Sequence, residues 1–161
     1  MKIRAIRVIR VLLRLIAENK EYPFMKTMPI NPIETGSKKE RKALLRGHHL
    51  ICLNFFRGEG YSKEFIENLY AVIKKEKIEI VTGADEVCGK CPYLKEGKCR
   101  SSDYTDEKIH LQDQEALRLL GFKPGMIVSW KMLASKLPEI IDEWKSEFCF
   151  ACGYRKVCFN L

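Results

Sequence analysis

CGKCPYLKEGKC (residues 88–99) and CFACGYRKVC (residues 149–158) hold six of the seven cysteines, in two triplets that each open with a C-x-x-C pair. Two residues between paired cysteines let one tight turn aim both sulfurs at one ion. Metal then holds a loop too poor in apolar residues to fold by itself. Cys88, Cys91, Cys99, Cys149, Cys152 and Cys158 are therefore read as metal ligands. They predict an α+β fold: a small helix-rich domain with a short strand element and two cysteine-ligated metal loops.

Working outward from the first loop, KIEIVTG (77–83) alternates Ile78, Ile80 and Thr82 with charged or exposed positions, and so predicts a short strand leading into the cysteines. Upstream, Ser62 can cap a helix whose Phe65, Ile66, Leu69, Tyr70 and Ile73 recur at helical spacing. LLRGHHLICLNFFRGEGYS (44–62) reads as a short apolar helix entered at Gly47 and left through Gly58 and Gly60. Between the loops, helices are expected over 105–120, closed by Gly121, and over 129–146 with a break at Pro138. Trp130, Leu133, Ile140, Ile141 and Trp144 are expected in the core.

On the short apolar helix, i+3 and i+4 spacing brings His49 and His48 onto the face of Cys52. An imidazole and the thiolate could share a metal, so Cys52 and His48 join the candidate ligands. Arg46, His48 and His49 are the candidate catalytic groups, being polar chemistry at the mouth of an apolar helix. The plain alternative is a histidine and a free cysteine packed in the core. A third reading makes Cys52 a nucleophile activated by an adjacent imidazole, against which Leu50, Ile51 and Leu53 argue for burial. His110 reads as a helix-surface residue, and the lone Gly58-x-Gly60 as a turn.

The domain boundary falls near residue 40. Residues 1–39 combine a basic amphipathic helix, with Arg4, Arg7, Arg10 and Arg14 on one stripe, and a linker broken by Pro23, Pro29 and Pro32. Residues 40–161 form the cysteine-rich metal-binding domain. The arginines exclude a transmembrane span; peripheral contact with an anionic membrane is the functional reading of that helix, and packing on its own domain the favoured one. Met25 and Met28 lie in the linker as alternative starts.

The net charge of +8 arises wholly from residues 1–46, with 12 Lys/Arg against 4 Asp/Glu; beyond them the count is 17 against 17. A neutral domain argues against nucleic acid as the partner. An odd number of cysteines and no secretory signal disfavour a disulfide scaffold and place the chain in the cytoplasm.

Ligand counting separates the metal readings. One four-coordinate site leaves two triplet sulfurs spare, whereas the six plus two from His48, His49 and Cys52 make eight. Neither triplet reproduces the C-x2-C-x2-C-x3-C-P run of bacterial ferredoxins. A four-cysteine zinc site from Cys88, Cys91, Cys149 and Cys152 is the alternative, and it leaves Cys99 and Cys158 unused.

Taken in order, LRGHHLICL, FRGEGYS, GADEVCGKCP with Cys99, and FCFACGY with Cys158 resemble an uncharacterised family of small bacterial and archaeal proteins described as iron-sulfur binding. The resemblance spans roughly residues 44–160. It implies that the histidine pair and both triplets belong to one constellation, with Cys52 a member. The expected cofactor is then an iron-sulfur cluster of the 4Fe-4S type, with zinc as the alternative. Tyr93 and Phe150 would shield it, and a redox partner or small-molecule substrate would meet it beside Arg46, His48 and His49. No reaction follows from the residues. The competing class is a zinc-stabilised binding module without catalysis.

Overall fold

The computed structural model describes residues 41–102 and 104–159, so the amphipathic helix and linker expected over 1–39 lie outside the described residues. Strand β1 (Ala43–Leu45) leads directly into helix α1 (Gly47–Cys52), which tightens to a 3-10 turn over Leu53–Phe55. Helix α2 (Lys63–Ile73) and strand β2 (Lys77–Ile80) follow. The first cysteine loop is a 3-10 turn, Cys88–Lys90, and a hairpin of β3 (Leu94–Lys95) and β4 (Lys98–Cys99). Helix α3 (Asp106–Leu120), strand β5 (Ile127–Ser129) and helix α4 (Trp130–Trp144) complete the layer; a π turn over Lys145–Cys149 and the short helix α5 (Arg155–Phe159) carry the last cysteines.

β2 is the central strand of the main sheet, parallel to β1 and antiparallel to β5. Register places Ala43, Ile78 and Val128 side by side on the buried face, while Leu44, Glu79 and Ile127 share the other. Alternation along each strand thus puts one face on the core. Three helices bury apolar stripes in the core: Phe65, Leu69 and Val72 of α2, Ala116 and Leu120 of α3, and Leu133, Leu137 and Trp144 of α4. Each fully buried aliphatic side chain contributes about 1.5–3 kcal/mol, so this core is the main apolar contribution to the fold.

Local chemistry fixes the helix ends. The hydroxyls of Ser62, Thr105 and Ser129 accept from the backbone N–H groups three residues on, at 3.2, 3.4 and 3.3 Å. Gly121 ends α3 in the left-handed conformation, at φ 68°. Pro138 was expected to break the last long helix, yet α4 runs unbroken from Trp130 to Trp144. Burial of Leu133, Leu137, Ile140 and Trp144 on both sides of it outweighs a cost of about 3 kcal/mol. The strand expected over 77–83 stops at Ile80, where Val81 turns its N–H to Leu45 O at 2.9 Å. Among the described residues no helix is long and apolar enough to cross a membrane.

Helices α1 and α3 are in intimate contact, because α1 begins with a residue lacking a side chain. A Cβ on Gly47 would sit 2.2 Å from the backbone oxygen of Asp113. Gly47→Ala should therefore push the helices apart and cost about 2–3 kcal/mol, measured as a lower urea midpoint with an unchanged slope.

Candidate metal centre

The polar end of the site starts at the β1–α1 junction. Arg46 is buried, 3% exposed, and its Nε donates to Asp113 Oδ2 at 2.7 Å. Its backbone N–H donates to Asp85 Oδ2 at 2.8 Å, and Nη1 lies 3.9 Å from Cys88 Sγ. His48 gives its backbone N–H to Asp113 Oδ1 at 3.0 Å, and its Nδ1 lies 2.7 Å from the same oxygen. His49 Nδ1 lies 2.7 Å from Asp85 Oδ2. A carboxylate only accepts, so the network assigns a hydrogen to Nδ1 of each imidazole.

Burial alone would raise Asp85 and Asp113. The charge and hydrogen bond of His49 with two backbone N–H groups outweigh it at Asp85, and the hydrogen bonds from His48 with the charge of Arg46 at Asp113, so both stay below the ordinary carboxylate range. Burial, aided by neighbouring His49, drives His48 down to about 4. His48 is therefore a neutral imidazole at pH 7.

A cavity of about 240 Å³ is lined by all seven cysteines together with Arg46, His48 and His49. The rest of its wall is largely aromatic, including Tyr61, Tyr93, Trp144, Phe148 and Tyr154. Burial raises Cys88 to about 12, with the charge of Asp85 adding to it, and Cys149 to about 11, with Cys152 and Cys158 adding to it. Such thiols stay protonated at neutral pH until a bound cation supplies the compensating charge. Lys145 and Arg155 act on Cys149, and Arg57 on Cys158, so the C-terminal sulfurs already lie among cations.

Sulfur spacing bears on which metal fits. Around one tetrahedral zinc the sulfurs stand about 3.8 Å apart. Among the described residues the group of three candidate ligands within 4.8 Å of one another is His49, Asp85 and Cys88; no three thiols are that close. In a polynuclear cluster each thiolate binds a different iron, which sets the sulfurs wider. Asp85 is placed to support a ligand shell, since its Oδ1 accepts the Cys88 N–H at 3.0 Å and its Oδ2 is shared by Arg46 and His49.

Several expectations change. Leu50, Ile51 and Leu53 are buried as their apolar character requires, but Cys52 is exposed, because its position on the turn faces the cavity. Cys52 shares the cavity wall with His48 and His49. Although the residue is open to the cavity, the protein atoms crowded around it desolvate its thiol, and the charges of Cys149, Cys152 and Cys158 add to that, so its pKa rises, the reverse of an activated nucleophile. Phe150 is 80% exposed with Arg155 over its ring and lies off the cavity wall; Tyr93 lines it as expected. His110 is on the exposed side of α3 beside Gln114.

Asp85 and Asp113 join the candidate site, and the sequence carries a signal for each. Asp113 interrupts the buried stripe Ile109, Ala116, Leu120 of α3, and a carboxylate inside such a stripe needs a partner. Asp85 stands three residues before Cys88, the spacing at which a short carboxylate caps the next turn.

Fold and site together define a small α+β protein organised around a cysteine-lined cavity. Residues 60–158, well over half of the chain, match a family described as "Protein of unknown function (DUF1284)", and the chain belongs to that family. The matched span contains both triplets, whereas Arg46, His48, His49 and Cys52 precede it. Neither a curated protein nor a solved structure is detectably similar.

Proposed function

We propose that this protein binds an iron-sulfur cluster through the thiols of its cavity and serves a redox or cluster-dependent role in the cytoplasm. The observation that carries the reading is that all seven thiols line one cavity, more than a single four-coordinate zinc ion can use. The resemblance to proteins described as iron-sulfur binding supports it. The aromatic residues give the site an apolar wall, and Lys145, Arg155 and Arg57 would offset the negative charge of thiolate-ligated iron. When bound, the cluster supplies one-electron chemistry. This chain's own part is to fix the thiols, to hold neutral His48 on Asp113 and to keep Arg46 beside Cys88.

Anaerobic purification with iron, sulfide and zinc measured on one sample tests the reading. Iron and acid-labile sulfide in equal amounts, with broad visible absorbance, are expected. Zinc at one or two equivalents and no colour, persisting after anaerobic reconstitution, would replace the cluster with a zinc-stabilised module.

A further inference from the structure

We propose that His49, Asp85 and Cys88 form a mononuclear zinc site at the polar end of the cavity, separate from the thiols that hold iron and sulfide. The site goes beyond the cluster reading and does not depend on it, because the cavity keeps its other six cysteines for iron when Cys88 is set aside.

Three unlike donors meet at this point. An imidazole nitrogen of His49, a carboxylate oxygen of Asp85 and the sulfur of Cys88 all lie within 4.8 Å of one another. Around one tetrahedral zinc such atoms stand about 3.3–3.6 Å apart, so small side-chain rotations close the shell. Nitrogen, oxygen and sulfur together suit zinc, whereas magnesium and calcium take oxygen alone. The donors come from two segments that the fold brings together: α1 carries His49, and the loop entering the 3-10 turn at Cys88 carries the other two.

Backbone hydrogen bonds hold the donors in place. Asp85 Oδ2 accepts the Arg46 N–H at 2.8 Å and Oδ1 accepts the Cys88 N–H at 3.0 Å, which ties the carboxylate to both segments. Helix α1 is pinned in turn on α3, where Asp113 Oδ1 accepts the His48 N–H at 3.0 Å. His49 Nδ1 and Asp85 Oδ2, 2.7 Å apart, need open by only about half an ångström to share an ion in place of a proton.

Charge is the second observation. Asp113 has the permanent cation Arg46 at 2.7 Å. The Asp85 side chain is 0% exposed, and its partner His49 is a cation only when protonated. Its other donors are the backbone N–H groups of Arg46 and Cys88. A buried carboxylate without a permanent cation is costly, and zinc supplies one. On binding, Nδ1 of His49 and Sγ of Cys88 each release one proton to water. The two charges of the ion are then met by one carboxylate and one thiolate, while Arg46 and Asp113 balance each other alongside. Arg46 Nη1, 3.9 Å from Cys88 Sγ, faces that thiolate from outside the shell. His49 and Cys88 both line the cavity, so the fourth position of the ion faces it. Three protein ligands with a fourth position left to water mark a catalytic zinc rather than a structural one.

The test uses the full-length chain reconstituted anaerobically with ferrous iron and sulfide, then given zinc and desalted. X-ray absorption at the zinc edge reads this ion without interference from iron. About one zinc per chain is expected, bound by one sulfur at about 2.3 Å and by nitrogen and oxygen at about 2.0–2.2 Å. His49→Gln and Asp85→Asn should each weaken zinc retention at least about tenfold and leave iron and sulfide unchanged. These variants sit on different segments, so one that fails to fold leaves the other to decide. No retained zinc, zinc bound by three or four sulfurs, or zinc undiminished in the variants overturns the site, and the iron and sulfide contents then judge the cluster separately. One-sulfur zinc in a chain that takes up neither iron nor sulfide upholds this site and overturns the cluster.

Discussion

Removing metal from the folded chain with a chelator under argon should make residues 145–159 cleavable by trypsin, with cuts at Lys145, Arg155 and Lys156 appearing about a hundredfold faster than in the loaded protein. The reason lies in burial. From Lys145 to Phe159 not one residue is buried, although the segment carries three of the seven thiols. Its contacts are partial: Phe148 on Trp144, Phe159 on Phe55, and Lys145 over the Phe159 ring. Local opening free energy is low where buried apolar contacts are few, and binding energy at a metal site then becomes folding energy for the segment. The core, including Leu133, Leu137 and Trp144, should resist in both states. Mass spectrometry of the early fragments decides it; equal protection with and without metal would mean that the aromatic contacts alone hold the segment.

Asp113→Ala should be the most damaging single change away from the cysteines, costing about 3–5 kcal/mol. It strips the guanidinium of buried Arg46 of its carboxylate and leaves the backbone N–H and Nδ1 of His48 without an acceptor. For a domain of this size the thermal midpoint should fall by more than about 10 °C. The double change Arg46→Met with Asp113→Leu should recover part of the loss, because an apolar pair carries no buried charge. Urea unfolding of the metal-free variants measures both. A loss under about 1 kcal/mol for Asp113→Ala would mean that water replaces the carboxylate, and that the pocket is wetter than its burial indicates.

Much of the fold can be read from the residues. Ser62, Thr105 and Ser129 sit where their helices start, and the apolar spacing of α2, α3 and α4 matches the buried stripes. Three-residue strands such as β1 and β5 are too short to display alternation, and their partners lie more than thirty residues away, so pairing with β2 leaves no local trace. Pro138 shows the limit of punctuation rules: tertiary burial on both sides of it outweighs a local cost. Within the site, the two triplets are visible by spacing alone. The place of Cys52 on the same cavity as both triplets is not, because it depends on α1 turning Cys52 away from Leu50, Ile51 and Leu53. The two aspartates have detectable signals, but only a three-dimensional partner distinguishes a buried carboxylate from a surface one on an amphipathic helix.

The cavity wall runs in sequence from Arg46 to Phe159. The helices and sheet that form the core are all made before Cys149, Cys152 and Cys158, so a chain cut short before Cys149 would keep the core elements and lack three of the seven thiols of the cavity.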